Sequence, residues 1–267
     1  MENFHAMGFF IHDIDYVIVT HDHVDHAFDV EKIIDLSYQL KIAKIQYYLD
    51  LSTYGKYYKR INDESTQNGH NAKRLDLGSE DSQNEIEITE NISLSVFETD
   101  HCPHSVGIKL TLGQDEGKVI IGYTSDTAYS ESISTYLDGS DIIIANFSET
   151  NTQDFACLEY KKSHLGFYGC RSLIDNIENP PHICIISEFW GGKGDIRTYI
   201  AKILKSMTKH EEVAFIPSDI GLTILLDKKQ VLCSKCEKWV DAHLIKSVRP
   251  NMRDSFGQLD YVCSLCL

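Results

Sequence analysis

One stretch near the beginning of the chain decides the prediction of its fold, and it reads Thr20-His21-Asp22-His23-Val24-Asp25-His26. It directly follows a short apolar run, residues 16–19, which predicts a buried β-strand. Imidazole and carboxylate groups are the ligand types that zinc prefers. A loop that leaves a strand can turn His21 and His23 towards one ion, and Asp25 and His26 then face a second one. The spacing therefore predicts a pair of metal ions rather than a polar surface turn.

Short apolar runs alternate with helical spacing along the rest of the chain. Predicted strands cover residues 15–19, 45–49, 92–97, 106–111, 119–123, 142–145, 183–186, 213–216 and 222–226. Predicted helices run from Asp29 to about Leu40, after Ser163, and after a capping Asp195. We predict a loop or short helix over residues 52–75 and a surface turn over residues 79–90. Strands that come first and then alternate with helices indicate a layered α/β protein.

Length and charge limit the possible partners. The 267 residues suffice for one large domain, or for a domain of ~200 residues and a small module. The net charge of −15 repels a polyanion such as duplex DNA, so binding of nucleic acid over a broad face is disfavoured. A small phosphate ester, or a strand end attracted by bound metal ions, stays compatible with this charge.

The sequence carries no sign of membrane insertion or export. No apolar run approaches the ~20 residues that span a bilayer. The first six residues lack the basic and then apolar order of a signal peptide. We therefore predict a cytoplasmic protein without membrane contact.

Three further segments carry residues suited to metal chemistry. They read Thr99-Asp100-His101-Cys102-Pro103-His104-Ser105-Val106-Gly107, Tyr123-Thr124-Ser125-Asp126-Thr127 and Ser163-His164-Leu165-Gly166. Together with the first signature they resemble the metallo-β-lactamase superfamily over roughly residues 15–226, and in particular its RNase Z-like phosphodiesterase branch. The resemblance implies an αββα sandwich, and hydrolysis by a hydroxide that two metal ions activate.

The resemblance also implies a role for each ligand. One zinc would be held by His21, His23 and His101, the other by Asp25, His26 and Glu188, with Asp126 bridging the two. His104 competes with His101 for the place of the third histidine. Asp25 would orient the hydroxide, and His164, beside the metals, would help protonate the leaving group. A helix-capping or core role for His164 stays open.

The chain departs from the family pattern at three places. Glu188 stands where the family usually has its last histidine, with His182 as the alternative. A carboxylate can still bind zinc, although it favours manganese or a weakly held second ion. Ser125 replaces the glycine of the family's Gly-Asp-Thr. Only 14 residues precede Asp15, where the family has a pair of strands, so we expect these strands to be short, missing, or completed by a partner.

The last part of the chain contains two Cys-x-x-Cys pairs, Cys233 with Cys236 and Cys263 with Cys266, separated by 26 residues. Four thiolates in this arrangement predict a structural zinc in a zinc-ribbon-like module. A module this small needs the metal for its folding energy. We therefore divide the chain into a hydrolase domain, residues 1–229, and a zinc module, residues 230–267. The other cysteines, Cys102, Cys157, Cys170 and Cys184, are predicted to be free thiols.

The zinc module is the least acidic part of the chain. It carries a net charge of +1 against −16 for residues 1–229. Its basic residues are Lys235, Lys238, Lys246, Arg249 and Arg253. Contact with a nucleic acid, contact with a protein partner, and simple stabilisation of the chain end are all consistent with this composition.

The first functional hypothesis is a zinc-dependent phosphodiesterase or nuclease. Its substrates would be RNA or DNA ends or cyclic nucleotides. The second keeps the same site and changes the substrate to an ester, thioester or lactone. The third is a catalytically weak binding module. A protein partner or a homodimer is compatible with each hypothesis.

Overall fold

The computed structural model describes residues 4–5, 7–42, 44–63, 69–75, 77, 85–147, 164–188, 196–219, 221–250 and 258–267. The chain divides into two compact units. Unit 1 comprises Met1–Asn84 and Cys102–Val106, and unit 2 comprises Glu85–His101 and Gly107–Leu267. No helix among the described residues is long and apolar enough to cross a membrane.

The described residues of unit 1 include a parallel three-stranded sheet and the helices that follow its first two strands. The strands are β1 (Tyr16–Val19), β2 (Gln46–Leu49) and β3 (Asn71–Arg74), and the helices are α1 (Val24–Gln39) and α2 (Leu51–Ile61). Helix α1 turns Val30, Ile33 and Ile34 to the core, because residues three and four apart share one face. Asp50 caps α2: its carboxylate accepts hydrogen bonds from two backbone N–H groups of the first turn.

Unit 2 contains a seven-stranded sheet with the order β10-β9-β8-β7-β6-β5-β4. The strands are β4 (Glu85–Thr89), β5 (Ile92–Glu98), β6 (Val106–Leu112), β7 (Val119–Tyr123), β8 (Ile142–Asn146), β9 (Ile183–Ser187) and β10 (Ala214–Pro217). Strands β7 to β10 run parallel, so their carboxyl ends lie at one edge of the sheet. In α/β proteins this edge is the usual place for a ligand.

Three helices of unit 2 contribute to one hydrophobic core with the sheet. They are α3 (Glu131–Leu137), α4 (Phe167–Asp175) and α5 (Arg197–Met207). The fully buried side chains of Leu137, Leu173 and Leu204 belong to this core, together with Ile143 and Ile186 of the central strands. The parallel strands therefore read as continuous apolar runs, as is typical of strands covered on both faces.

The C-terminal residues supply a second core on the same sheet. They form β11 (Ile224–Leu225), β12 (Gln230–Leu232), β13 (Trp239–Asp241), β14 (Ile245–Pro250) and β15 (Leu259–Cys263), which pair antiparallel. Val231 and Tyr261 pack with Ile183 and Ile216 of the large sheet. The hydroxyl of Tyr261 donates a hydrogen bond to the carbonyl of Pro217 over 2.8 Å. The four-cysteine segment thus shares its core with the strands that it follows.

Several sequence predictions of element bounds were wrong. Helix α1 begins at Val24 and not at Asp29, so two predicted ligands lie in its first turn. Strand β3 was missed within residues 52–75 because only Ala72 of its four residues is buried, and pairing with β2 decides its conformation. Strand β4 replaces much of the surface turn predicted for residues 79–90, although its alternating Glu and Ile residues were a signal for a strand.

Other predicted elements agree or cannot be compared. The remaining strands agree with the prediction to within one or two residues, except the last, which is shorter. The first strand among the described residues is β1. Four residues on which sequence predictions rest lie outside the described part of the chain: Cys157, Ser163, Asp195 and Arg253.

Candidate metal centre

The unit 1 signature gathers three imidazole rings. His21 follows β1 closely and is fully buried. Its ring centroid lies 4.8 Å from that of His23 and 4.0 Å from that of His26. The helix places these rings together, because His23 is the N-cap residue of α1 and His26 belongs to its first turn. Asp25 lies in the same turn, where the helix dipole favours a negative charge.

Unit 2 gathers two imidazoles around a buried carboxylate. Asp126 follows β7, and one of its oxygens, Oδ2, lies 3.6 Å from Nε2 of His101 and 3.4 Å from Nε2 of His164. The rings of His101 and His164 are 4.7 Å apart between centroids. The sequence-predicted residues His101, Asp126 and His164 therefore lie together in this unit.

The turn before Asp126 has an unusual backbone. Ser125 is fully buried and has a φ of 53°, the left-handed region that glycine occupies without strain. This geometry explains the glycine that the related motif has at this position. The hydroxyl of Thr124 donates to the carbonyl of Ser125 over 2.8 Å and accepts from the backbone N–H of Asn146 over 3.0 Å. These buried hydrogen bonds hold the turn in place.

Asn146 is a functional residue that sequence reasoning missed. It ends β8 and is buried, and its side-chain amide donates to Oδ1 of Asp126 over 3.2 Å and to the Tyr123 hydroxyl over 2.9 Å. The sequence feature that could have identified Asn146 is its position as a polar residue directly after the four apolar residues 142–145. The side chain fixes the orientation of the Asp126 carboxylate.

Thr127 connects the segment before His101 to the segment around Asp126. Its buried hydroxyl accepts a hydrogen bond from the backbone N–H of Asp100 over 3.0 Å and donates to the carbonyl of Ala128 over 2.7 Å. The backbone N–H of Ala128 in turn donates to the carbonyl of Asp100 over 2.9 Å. These hydrogen bonds fix the backbone of the segment before His101 relative to the backbone of the segment after Asp126.

Glu188 and its predicted alternative, His182, lie at opposite ends of β9. Glu188 directly follows the strand, at the edge where Asp126 follows β7, and has a φ of 52°. His182 precedes the strand and is exposed. His104, the predicted competitor of His101, is also exposed.

The donor chemistry of both units fits divalent metal ions. A buried carboxylate is costly unless a positive charge balances it. The two ion-pair contacts given above for Asp126 are with histidines, which carry a charge only when protonated. Neutral imidazoles and carboxylates are the ligands of zinc and of similar ions, so this donor set suits a divalent cation, whose charge would balance that of the carboxylate.

The four cysteines form a separate cluster in unit 2. The Sγ atoms of Cys233, Cys236, Cys263 and Cys266 all lie within 4.8 Å of one another. The sulfurs of Cys236 and Cys263 are 4.0 Å apart, which is too long for a disulfide. Four sulfurs at ~2.3 Å from a tetrahedral zinc would lie about 3.8 Å apart. The predicted cysteine cluster is confirmed, and its geometry fits a zinc ion.

Backbone donors prepare one of these thiols for metal binding. Burial acts to raise the pKa of Cys233, but N–H groups of Cys236, Cys263 and Lys235 point at its sulfur and together lower the pKa to about 6. The thiolate is the form that binds zinc. Hydrogen bonds to Cys236 and Cys263 raise the pKa of Cys266 to about 12.

Comparisons with solved structures show the fold. The metallo-β-lactamase fold protein YhfI from Bacillus subtilis aligns with a TM-score of 0.61 and 12% identity, over 80% of this chain and 79% of YhfI. The short form of human tRNase Z, ELAC1, aligns with a TM-score of 0.56 and 13% identity, over 81% and 80%. Unliganded yeast PDE1 aligns with a TM-score of 0.56 and 13% identity, over 78% and 67%. The predicted metallo-β-lactamase fold is therefore confirmed.

Sequence comparison adds the family. A search of curated proteins found no significant match. The family model of the anti-Pycsar protein Apyc1 matches residues 1–159, which is more than half of the chain and includes His21 to His26, His101 and Asp126. The chain belongs to the family of the anti-Pycsar protein Apyc1.

Proposed function

We propose that the chain is a metal-dependent phosphodiesterase that hydrolyses small phosphodiesters, with cyclic nucleotides as the first substrate class and RNA or DNA ends as the second. The observation that carries this proposal is the position of His164, whose Nε2 lies 3.4 Å from Oδ2 of Asp126. Membership of the anti-Pycsar family adds a biological role to the proposal, namely that the hydrolysis counters Pycsar.

The proposed metal ligands are those that the motifs imply: His21, His23, Asp25, His26, His101, Asp126 and Glu188. This assignment rests on the resemblance of the motifs and on the donor chemistry within each unit. Zinc suits the imidazoles, and manganese is an alternative at the position with Glu188. Two divalent ions would lower the pKa of a bound water and neutralise charge on the phosphoryl oxygens.

His164 is suited to donate a proton to the departing oxygen. Its side chain is 32% exposed, so a substrate can reach it, while Asp126 beside it is almost fully buried. Asp25 is exposed in the first turn of α1 and can orient the attacking water. Proton transfer by a positioned side chain contributes typically 10²–10⁴-fold to a rate.

Net charge favours a small substrate over a polymer. The chain carries −15, and a long nucleic acid brings one negative charge for each phosphate. A cyclic nucleotide brings a single negative charge, so the average field of the protein opposes its approach much less. Because of this difference in charge, we rank cyclic nucleotides before RNA and DNA ends as substrates.

A substrate panel tests the proposal. The full chain, loaded with zinc or manganese, is assayed with cyclic nucleotides, bis-p-nitrophenyl phosphate, a short single-stranded RNA and a thioester, and its metal content is measured. We expect three metal ions per chain and the fastest turnover with a cyclic nucleotide. Turnover of the thioester alone would favour an ester or thioester hydrolase. A single zinc with no turnover would favour a binding module, and either result would contradict the proposal.

A further inference from the structure

A pocket of about 260 Å³ lies in unit 2 between α5, β10 and β14. Its lining includes Lys202 and Lys205 of α5, Phe215 of β10 and Lys246 of β14. The described residues that line this pocket include neither a proposed metal ligand nor one of the four clustered cysteines. The pocket is therefore distinct from both metal sites.

The side chains that line this pocket are basic, whereas the protein as a whole is acidic. Three lysines and His243 line the pocket, and no aspartate or glutamate is among its described lining residues. The chain as a whole has 40 acidic and 25 basic residues, so the pocket is a positively charged place on an acidic protein. Such a local field attracts and holds an anion.

Lys205 is held in a fixed position at this pocket. Its ammonium donates to the backbone carbonyl of Glu211 and, over 2.8 Å, to that of Val213. An ammonium has three N–H donors, so one donor is left for a ligand. Two carbonyls that fix the head group also reduce the entropy that the side chain would lose on binding.

The surroundings of Lys205 oppose its charge. Burial lowers its pKa, and the positive charge of Lys246 adds to this effect. The carboxylates of Glu211 and Glu212 act in the opposite direction, but Glu212 also bonds to His210 over 2.9 Å. An anion between Lys205 and Lys246 would relieve their mutual repulsion.

Most of the remaining wall is apolar. Ala201, Phe215, Pro217 and Val248 contribute to it. Few charged groups on an apolar wall are typical of sites that take a small organic ligand and orient it by one polar end. A pocket of about 260 Å³ is too small to receive a folded partner.

We propose that this pocket binds a small phosphate monoester whose organic part is apolar. The doubly charged phosphate would contact the ammonium groups of Lys202, Lys205 and Lys246, since lysine binds phosphate as a point charge. The organic part would lie against Phe215 and Val248. The occupied pocket would connect α5 to the C-terminal hairpin, so the ligand would also stabilise unit 2.

Calorimetric titration of the full, metal-loaded chain with 1-naphthyl phosphate tests this proposal. Inorganic phosphate and 1-naphthol are titrated in parallel, because each carries only half of the proposed recognition. We expect 1-naphthyl phosphate to bind more tightly than either. The double variant Lys202→Glu/Lys246→Glu should weaken its binding at least tenfold, whereas Lys209→Glu, which reverses an exposed charge just after α5, should leave it unchanged.

Val248→Trp gives a second test that does not alter charge. A tryptophan is well tolerated in a strand and would fill the pocket, so we expect the same loss of binding with an unchanged melting temperature of the free chain. Binding to the metal centre would survive both variants, which separates the two sites. The proposal is wrong if the wild type does not bind 1-naphthyl phosphate, or if the double variant binds it as tightly as Lys209→Glu does.

Discussion

Asn146 donates a hydrogen bond from its side-chain amide to Oδ1 of Asp126 over 3.2 Å, while the other oxygen of Asp126 faces His101 and His164. The two carboxylate oxygens of Asp126 therefore have different surroundings. Oδ1 accepts the hydrogen bond from Asn146, and Oδ2 lies close to the two imidazoles. Hydrogen bonds of this kind to a ligating carboxylate commonly decide how well a metal is held.

Replacement of Asn146 by alanine should weaken metal binding. The variant leaves Oδ1 of Asp126 without this donor and lets the carboxylate rotate, so we expect 10–100-fold lower affinity for the active-site metals. A competition titration with a zinc chelator measures the change. Asn179→Ala is the matched control, because this exposed asparagine bonds to Asp138 instead. Equal metal affinity in the two variants would exclude a positioning role for Asn146.

The effect of a replacement at Ser125 on the free energy of unfolding should depend on how well the new residue tolerates a positive φ. Ser125→Gly suits the φ of 53° and should leave metal binding intact. Ser125→Val loses the same hydroxyl but places a β-branched side chain in the left-handed region, which should cost about 2 kcal/mol more of the free energy of unfolding. Urea unfolding of both variants measures the difference. Equal stabilities would show that the turn is not strained in solution.

Loss of one thiol from the four-cysteine cluster should loosen the C-terminal strands, because we expect this cluster to hold a zinc ion. Cys236→Ser removes one of four thiolates, so we expect one zinc fewer per chain and a clearly lower melting temperature. Faster hydrogen exchange around Tyr261 should accompany it, because this residue packs on the large sheet. Cys170→Ala is the control: it opens a small cavity in the other core but should keep the full zinc content. Unchanged zinc in Cys236→Ser would contradict the assignment.

The burial of His70 should make the free energy of unfolding of unit 1 smaller at acidic pH. Its Nδ1 accepts the N–H of Ile45 over 3.1 Å, its Nε2 lies 2.9 Å from the Ser37 hydroxyl, and burial lowers its pKa below the ordinary 6.5. The unfolded chain therefore binds a proton at a higher pH than the folded chain does. The stability that His70 contributes is present above about pH 6.5 and is lost as the pH falls below it.

Urea unfolding between pH 8 and pH 5 measures this contribution. His70→Gln should show a flatter pH dependence than the wild type, whereas His182→Gln changes an exposed histidine and should follow the wild type. The remaining histidines are common to the wild type and His70→Gln, so the difference between these two curves isolates the contribution of His70. Parallel curves for the wild type and His70→Gln would contradict the prediction.

The sequence was sufficient to predict what local chemistry determines. The apolar runs of β1 and β7 and the two Cys-x-x-Cys pairs can each be recognised within a few residues. The metal-binding roles of His21 to His26 and of Asp126 stay predictions. Residues that act through pairing of distant segments were harder to find. In the sequence, Asn146 resembles an ordinary turn residue. The parallel pairing of β8 with β7 brings its side chain to Asp126. Strand β3 has no strand signal of its own and depends on β2.

The bounds of α1 show a further limit of sequence reasoning. Asp29 is a good capping residue, and the pattern after it is helical, so the prediction began there. The helix begins at Val24 instead, with His23 as an N-cap that makes no side-chain capping hydrogen bond. A metal-binding segment often breaks local preferences, because its residues serve the ligand rather than the helix.

The role of His164 is tested most directly with two substrates that differ in their leaving group. The rate constant kcat of His164→Ala is compared with that of the wild type for a cyclic nucleotide and for bis-p-nitrophenyl phosphate, with His182→Ala as the control. The ribose oxygen needs a proton to leave, whereas p-nitrophenolate leaves without one. We expect a loss of roughly 100-fold or more with the cyclic nucleotide and a much smaller loss with the nitrophenyl ester. Equal losses with both substrates, or no loss with either, would contradict the proposed phosphodiesterase mechanism.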